Sequence, residues 1–541
     1  MAKKDQNINQ NPQQVQQVPQ ATMVQQQGQP MMTPPLPMPQ QPGSRRARWN
    51  RQLMAGAAMA MKSLPDWFAI YAIATYAVAV IGVNLLYSSY AMEWYFWLFG
   101  VMWVVGFFAL SVKYSREWSI TNFKKAKSIE RKLFWTGFAI RAVYVIAIYF
   151  FYLEMTGKPY EFQAADSASY IEFAGDWSAI YIAKGKFWAE MSAYSQTHFS
   201  DIGYPLFLVL PIHWFGETAA IIITRLIQAA LGAYTSVIIY RITRRSMDET
   251  TARFAAIFCM LHPVLICYAG MSLKEVLMTF LVVLFIDMAE RLLRNRRYTF
   301  GTLAPMILVG GSLFMFRTVL GMVAFIAVFF AIVMIDSKIV SWGKKVITGI
   351  LLAGILALSV SDNIKQEMNR ITESDVMAHQ KNSMEKRYGD VKDTKIQRNA
   401  FAKYAGAAVF APLIFTIPFP TIVVTQDQED FRLIHGGNWM RNIMSGFVVL
   451  AMFMLLLSGD WRQYTLPLAM LLGYLVMLVF TEFAHSLRFH IPVMPFEMMF
   501  AAYAITKMRS RHKRWYLYWC LFTIVTCFAW NWFKLAGRGL A

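Results

Sequence analysis

The sequence has very little cysteine, and the position of each cysteine excludes a class of site. Cys259, Cys267, Cys520 and Cys527 are the only four, and all lie within apolar segments. A thiol in such a segment behaves as a small hydrophobic side chain, and these four have neither the spacing of metal ligands nor a loop that a disulfide would close. We therefore predict no disulfide and no metal site built on cysteine.

Motifs that hold nucleotides or catalytic metals are also missing. The chain has no GxxxxGK[ST], no GxGxxG on a predicted strand, no HExxH and no convincing Ser-His-Asp set. Their absence argues against a nucleotide-driven pump. No cofactor is predicted from a motif, no metal ligands are predicted, and the question of whether a divalent cation assists stays open.

Acidic residues are scarce relative to basic ones: 32 Asp and Glu stand against 52 Lys and Arg, for a formal net charge of +20. The basic residues lie mostly in short stretches between apolar runs, such as 241–251 and 291–298. This is the positive-inside pattern of membrane proteins, so the charge reports orientation and contact with anionic lipid. We predict membrane lipid, and no nucleic acid, as a partner.

What the sequence has in abundance is apolar surface, since 57% of its residues are hydrophobic. Many runs approach the roughly 20 residues that cross a bilayer. We therefore predict an all-α, polytopic transmembrane fold. The thirteen predicted spans are 67–89, 94–112, 133–153, 218–240, 252–271, 274–292, 300–317, 319–335, 343–361, 441–458, 463–481, 488–506 and 515–533.

The charge pattern also orients the chain. Residues 1–43 are rich in Gln and Pro and are expected to be a disordered tail, not a signal peptide. With the tail in the cytoplasm, the basic loops fall inside and the segments 154–203 and 362–405 fall on the outer face. The Pro-broken run 411–424 is interpreted as re-entrant or interfacial, which requires neighbouring protein to satisfy its backbone.

These features divide the chain into five predicted regions. They are a tail with a basic flank, an additional transmembrane pair, a main transmembrane module, an outer-face loop with the re-entrant segment, and a final group of helices. The boundaries are 1–62, 63–132, 133–361, 362–440 and 441–541.

The polar segment 154–203 stands out between the apolar runs. Aromatic and small residues recur in it at helical spacing, with Asp166, Glu172 and Asp176 before or between them, which predicts an amphipathic helix in the plane of the membrane interface. The recurring residues are Tyr170, Phe173, Ala174, Trp177 and Tyr181. The next element, 204–216, is too short to cross and is expected to lie along or dip into the outer leaflet.

The order of motifs after this point resembles a known superfamily. GYPLFLVLPIHWFG is followed by TRLIQAALGAYTSVIIYRITRR, then by ARFAAIFCMLHPVLICYAGMSLKEVLMTFLVVLF and, late in the chain, by RFHIPVMPFEMMFAAYAI. The set resembles the GT-C membrane glycosyltransferases, in particular bacterial relatives of dolichyl-phosphate-mannose protein mannosyltransferases and of the lipid A aminoarabinose transferase. The resemblance covers 133–335 and returns at 488–505.

The resemblance implies a GT-C-like fold and an activity. A polyprenyl-phosphate-linked sugar would be the donor substrate, a glycan, lipid or protein the acceptor, and the outer face of a bacterial-type inner (plasma) membrane the location. Asp166 matches the Asp that serves as catalytic base in the first outer loop. The alternative is that Asp166 only caps the following helix.

Four further residues are candidates for substrate binding. Asp201 and Tyr204 belong to the motif before the fourth predicted span, Glu275 begins the sixth, and His485 lies in a late outward loop. Asp201 could equally be an ordinary turn residue. Lys274 stands before Glu275 where relatives carry a small residue, which counts against a catalytic role for Glu275.

Three arginines are candidates for binding the lipid phosphate: Arg317, Arg488 and Arg225. A leaving polyprenyl phosphate needs positive charge near the outer leaflet. The alternative is that each arginine only reaches toward lipid headgroups.

Deeper in the predicted spans, Arg141 and Glu497 lie at similar inferred depth, so we predict that they form a structural ion pair. His262, before Pro263, is expected to satisfy backbone groups that the proline frees.

Two other classes compete with the glycosyltransferase interpretation. A transporter or lipid flippase would line a pathway with intramembrane charges, but the chain has no convincing internal repeat. A polysaccharide polymerase or ligase would share the lipid-linked donor without the ordered motifs. The identities of the sugar and the acceptor are not encoded in any residue pattern.

Overall fold

All regular structure in the described part of the chain is helical. The computed structural model describes residues 63–119, 126–183, 186–295, 299–334, 415–416, 418–424, 429–480, 486–508 and 513–536. No strand occurs among them, so the predicted all-α class is confirmed for this part of the chain.

Seventeen α-helices are described, and they are numbered here in chain order. They are α1 (Asp66–Leu86), α2 (Trp94–Ser119), α3 (Ala126–Thr156), α4 (Ala165–Ala183), α5 (Phe187–His198), α6 (Gly203–Ser246), α7 (Glu249–Leu261), α8 (Pro263–Cys267), α9 (Glu275–Asn295), α10 (Phe300–Phe314), α11 (Thr318–Met334), α12 (Glu429–Leu433), α13 (His435–Ser458), α14 (Thr465–Phe480), α15 (Leu487–His490), α16 (Met494–Lys507) and α17 (Lys513–Ala536). Short 3-10 turns stand at Ser88–Tyr90, Phe199–Asp201, Tyr268–Gly270, Asp460–Tyr464 and Ile491–Val493.

Seven of the helical stretches are long and apolar enough to cross a membrane: α1, α2, α3, α6, α13, α14 with its preceding turn, and α17. The pair α7 and α8 raises the number to 8 if the bent pair is one span. These helices indicate a multi-pass membrane protein. The count of thirteen spans stays a prediction, because α10 and α11 are shorter apolar helices and the predicted span 343–361 lies outside the described residues.

One glycine and one proline cause the two main breaks in the helices. Gly216 has φ 73° and ψ 165°, a conformation that an L side chain rarely adopts, and it separates the predicted 204–216 element from the rest of α6. Pro263 lacks an N–H and cannot continue α7, so α8 starts there after a bend of 47°. His262 lies at this bend, and neither of its ring nitrogens bonds a freed backbone group, so its predicted role is wrong.

Helix α6 is central to the packing, because it lies against α3, α4, α7 and α9, while α16 packs between α7 and α13. The predicted amphipathic helix is α4, in which Tyr170, Ala174 and Trp177 of the predicted apolar face are buried and Phe173 is half-buried. Its place in a membrane interface stays a prediction.

In the part of the Pro-broken segment at 418–424, neighbouring side chains bond the backbone, as predicted, while its re-entrant or interfacial placement stays a prediction. Asn531 Oδ1 accepts from the N–H of Ile422 at 2.8 Å and of Val423 at 3.1 Å, and its Nδ2 donates to the Pro420 carbonyl at 3.0 Å. Asn442 Nδ2 donates to the Pro418 carbonyl at 3.3 Å. Non-helical backbone is stable in an apolar setting only with such partners.

The predicted ion pair between Arg141 and Glu497 is wrong. Arg141 donates to the carbonyl oxygens of Met260 at 2.9 Å, Gly137 at 3.2 Å and Cys259 at 3.3 Å. The bend after α7 leaves the Met260 and Cys259 carbonyls available, and the Gly137 carbonyl lies one turn before Arg141 on α3, so the guanidinium is satisfied without a counter-ion. Glu497 pairs with Arg441 instead, at 3.2 Å.

The predicted tail 1–43, the segment 362–405 and His485 lie outside the described residues. The five predicted regions stay predictions. The described residues all belong to one compact unit, Met54–Ala541.

Candidate functional site

Three of the predicted site residues meet in one ion-pair cluster. Arg488 donates from Nη1 to Asp166 and from Nε to Glu275. These residues are 322 and 213 positions apart from Arg488 along the chain. We call this set the Asp166–Arg488–Glu275 cluster.

The cluster runs from the interior to the surface. The Glu275 side chain is 0% exposed, that of Arg488 is 24% exposed and that of Asp166 is 52% exposed. A buried carboxylate such as Glu275 is stable only when it is paired, and Arg488 supplies the counter-charge. Asp166 keeps one side free for contact with another molecule.

Helix geometry brings the carboxylates to this place. Asp166 lies in the first turn of α4 and Glu275 is the first residue of α9, where the exposed N–H groups of a helix stabilise negative charge. Asp166 lies inside the helix and bonds to Arg488, and no backbone N–H of the described residues donates to it. The structure therefore gives no support to the capping alternative.

A second cluster links Asp201 to the first. Asp201 accepts from Lys274 Nζ and, at 3.1 Å, from the hydroxyl of Tyr170, one turn after Asp166. Lys274 also donates to the Ser200 carbonyl at 3.2 Å. Burial alone would raise the pKa of Asp201, but the Lys274 ammonium and the Tyr170 hydroxyl hold it below its ordinary value. Asp201 thus stays ionised beside the site.

Arg317 presents a guanidinium that pairs with no carboxylate of the described residues. Its Nη1 donates to the Tyr474 hydroxyl at 3.1 Å, and its guanidinium carbon lies 4.2 Å from the centre of the Phe489 ring. Stacking on an aromatic face holds a guanidinium in place while leaving its edge able to donate. Phe489 follows Arg488 directly, so one short helix, α15, positions both arginines.

Arg225 and Tyr204 lie deeper than the other candidates. Arg225 is fully buried and donates to the Ser272 hydroxyl at 3.1 Å and to the Pro159 carbonyl at 2.6 Å. Tyr204 is also fully buried, and its hydroxyl accepts from Gln228 at 2.6 Å. Arg225 therefore lies deeper in the interior than Arg488, whose side chain is partly exposed.

Sequence reasoning missed four residues that complete this region: Lys274, Tyr170, Phe489 and Glu161. Lys274 gave a signal in the sequence, because a lysine at the start of a predicted span needs a counter-charge when it is buried. Asp201 supplies that charge. Glu161 is buried in the turn before α4 and accepts from Ser167. Its position in a polar segment gave no indication that it is buried.

In the described ranges, no group of three or more His, Cys, Asp or Glu side chains is arranged to hold a metal ion. Comparisons with protein families, with curated proteins and with solved structures find no match for this chain.

The chemistry that this arrangement allows follows from its charges. Asp166 is a half-exposed carboxylate that can accept a proton, and Arg488 and Arg317 are cations that can stabilise an anion nearby. These groups lie at helix ends and not in the middle of spans. A substrate carrying a phosphate and a reacting hydroxyl would find complementary groups here.

Proposed function

We propose that this protein is a membrane glycosyltransferase of GT-C type, which moves a sugar from a polyprenyl-phosphate donor to a hydroxyl of a glycan, lipid or protein acceptor. The proposal includes the finer features predicted above: about thirteen spans, an inner-membrane location, a cytoplasmic N-terminus and a site on the outer face. No divalent cation is assigned.

One observation carries the proposal. Asp166, Glu275 and Arg488 belong to sequence motifs far apart in the chain, and Arg488 donates to both carboxylates in the folded chain. A set of unrelated surface charges would have no reason to converge. Their contact supports a common site.

The residues would share the reaction as follows. The carboxylate of Asp166 takes the proton of the acceptor hydroxyl while that oxygen forms a bond to the anomeric carbon of the sugar. The bond between that carbon and the phosphate oxygen breaks, and the polyprenyl phosphate leaves with the electron pair. Arg317 and Arg488 stabilise the developing negative charge, and inversion follows from direct displacement.

A transfer assay tests the proposal. Purified protein in lipid nanodiscs is incubated with polyprenyl-phosphate sugars and with candidate acceptors from a membrane extract, beside the Asp166→Asn variant. Loss of a general base lowers the rate by about 10²–10⁴-fold, so transfer by the wild type and near-absence in the variant is expected. Asp176→Asn, an exposed carboxylate on the same helix, is the matched control and should transfer at the wild-type rate.

One observation favours a second candidate, a transporter or lipid flippase. Arg441, Glu497 and His490 form a buried polar cluster among the helices, and buried ionisable groups often line transport pathways. Reconstituted vesicles distinguish the two. Movement of a lipid-linked sugar across the bilayer that persists in Asp166→Asn, with no transfer product from the wild type, would favour transport and reject the enzyme.

A further inference from the structure

Five buried polar atoms around Arg225 have no hydrogen-bond partner among the described residues. They are Tyr152 OH, Glu161 Oε2, Arg225 Nη1, Gln228 Oε1 and Glu275 Oε2. Each parent side chain is at least nine-tenths buried, with Glu161 the most exposed at 4%. An unpartnered buried polar atom costs about 1–3 kcal/mol, so a group of them indicates that something else satisfies them.

These atoms belong to one neighbourhood. Arg225 donates to the Pro159 carbonyl at 2.6 Å, two residues before Glu161, and to the Ser272 hydroxyl at 3.1 Å, three residues before Glu275. The centre of the Tyr152 ring lies 5.8 Å from that of Phe162, which follows Glu161, and Gln228, one turn after Arg225 on α6, donates to Tyr204. We call this neighbourhood the Arg225 chamber.

The charge of the chamber restricts what can fill it. Burial raises the pKa of Glu161, against the opposing effects of the Ser167 hydroxyl and of the Arg225 and Arg488 charges. Two carboxylates against one arginine would disfavour a phosphate, and no group of three or more His, Cys, Asp or Glu side chains in the described ranges is arranged to hold a metal ion. An apolar chain would leave all five atoms unsatisfied.

The donors and acceptors of the Arg225 chamber match another class of ligand better than a phosphate, a metal cation or an apolar chain. Glu161, Glu275 and Gln228 offer acceptors, Arg225 offers a donor and Tyr152 offers both. Vicinal hydroxyl groups match this set, because each hydroxyl donates one bond and accepts another. Such a ligand would be neutral and rich in hydroxyls.

We propose that the Arg225 chamber binds the sugar of the lipid-linked donor through its hydroxyl groups. This inference rests on the proposed function. Glu275 connects the two parts of the site, since its Oε1 accepts from Arg488 while its Oε2 is unpartnered. A donor whose phosphate reaches Arg488 would extend its sugar toward Glu275 and Arg225.

Two substitutions change the chamber with little effect on the packing. Glu161→Gln keeps an oxygen for the Ser167 bond and replaces only the unpartnered acceptor with an amide. Tyr152→Phe removes a hydroxyl that bonds to nothing in the described residues. Glu217→Gln is the matched control, because Glu217 is an exposed carboxylate that accepts from the Tyr160 hydroxyl at 3.4 Å.

The experiment measures binding of polyprenyl phosphate, polyprenyl-phosphate glucose and polyprenyl-phosphate mannose to the full-length protein in nanodiscs. For the preferred sugar-bearing lipid, we expect about a tenfold loss of affinity in Glu161→Gln and about a threefold loss in Tyr152→Phe. Affinity for the bare lipid phosphate should not change in either variant, and Glu217→Gln should match the wild type for all probes.

The outcomes separate this inference from the proposed function. If the wild type prefers a sugar-bearing lipid and both variants keep that preference, the chamber holds only water and the inference is wrong. An equal loss of affinity for bare and sugar-bearing lipids would also contradict the inference, because the chamber would then not distinguish lipids by their sugar. If the wild type binds neither sugar-bearing lipid better than the bare phosphate, the inference is wrong for these sugars, and the transfer assay with Asp166→Asn decides the proposed function separately.

Discussion

Two arginine–carboxylate clusters lie on either side of one short helix, α15, and they differ in their access to solvent. Arg488 points to Asp166 and Glu275, whereas His490, two residues later, accepts a hydrogen bond from Arg441 at 2.8 Å. Arg441 also pairs with Glu497 at 3.2 Å, and both side chains are at most 3% exposed. We call this second set the closed cluster.

The difference in side-chain exposure gives similar ion pairs two different roles. The closed cluster has no side that a substrate could reach, and its charges neutralise one another in the interior. The Asp166–Arg488–Glu275 cluster ends in a carboxylate that is 52% exposed. Stability is thus expected from the closed cluster and reactivity from the Asp166–Arg488–Glu275 cluster.

The largest expected effect on stability comes from Glu497→Gln. It removes the carboxylate that pairs with the buried Arg441 guanidinium at 3.2 Å, and breaking a buried ion pair from one side costs about 3–5 kcal/mol in the free energy of unfolding. Denaturation in detergent measures this loss, and the protein that remains folded should turn over at the wild-type rate. Joint replacement, Arg441→Met with Glu497→Leu, should recover much of the stability. Full stability with lost turnover would place the closed cluster in the chemistry.

Arg488→Gln should destabilise the protein less, by about 2 kcal/mol, because water reaches part of this cluster and only Glu275 is left fully buried. Transfer should fall together with the affinity for polyprenyl phosphate. The same denaturation experiment, run beside a phosphate-binding measurement, checks both. A loss of stability as large as that of Glu497→Gln would show that the two clusters are equally closed.

Asp430 offers a buried carboxylate of a third kind. It accepts the backbone N–H groups of Gln163 at 2.9 Å and Phe162 at 3.3 Å and pairs with no arginine of the described residues. Burial raises its pKa to about 7, and repulsion from Glu161 and Glu429 adds to this. The folded protein therefore binds this proton more tightly than the unfolded chain does. Stability should rise as pH falls from about 8 to about 6, by about 1 kcal/mol.

Denaturation over this pH range, beside Asp430→Asn, measures that contribution. The variant cannot titrate at this position and should have a flatter slope. Equal slopes in the two proteins would mean that Asp430 is ionised throughout the range.

The smallest expected effect is that of Tyr474→Phe, which removes the 3.1 Å hydrogen bond to Arg317 and leaves the stacking on Phe489. We expect about a threefold loss of affinity for polyprenyl phosphate and little change in stability. Titration of the wild type and the variant with polyprenyl phosphate measures the two affinities. An unchanged affinity would show that stacking on Phe489 alone positions the Arg317 guanidinium.

The sequence anticipated much of this arrangement where a local rule applied. Periodicity predicted helix α4 and its buried face, and Pro-broken backbone predicted side-chain partners that Asn442 and Asn531 provide. The sequence-based prediction was wrong for Arg141, because the inferred depth of a residue in the membrane does not show which helices pack against each other. The free carbonyls at the α7 bend decided that contact.

By itself, the sequence determined the class of this protein, because hydrophobicity and helical period are properties of neighbouring residues. It also supplied the residues that carry charge near helix ends. Only the tertiary structure decided that Arg488 joins Asp166 to Glu275, that Glu497 belongs to Arg441, and that polar atoms around Arg225 lack partners. Pairing between distant segments depends on helix packing angles and burial, which no local pattern encodes.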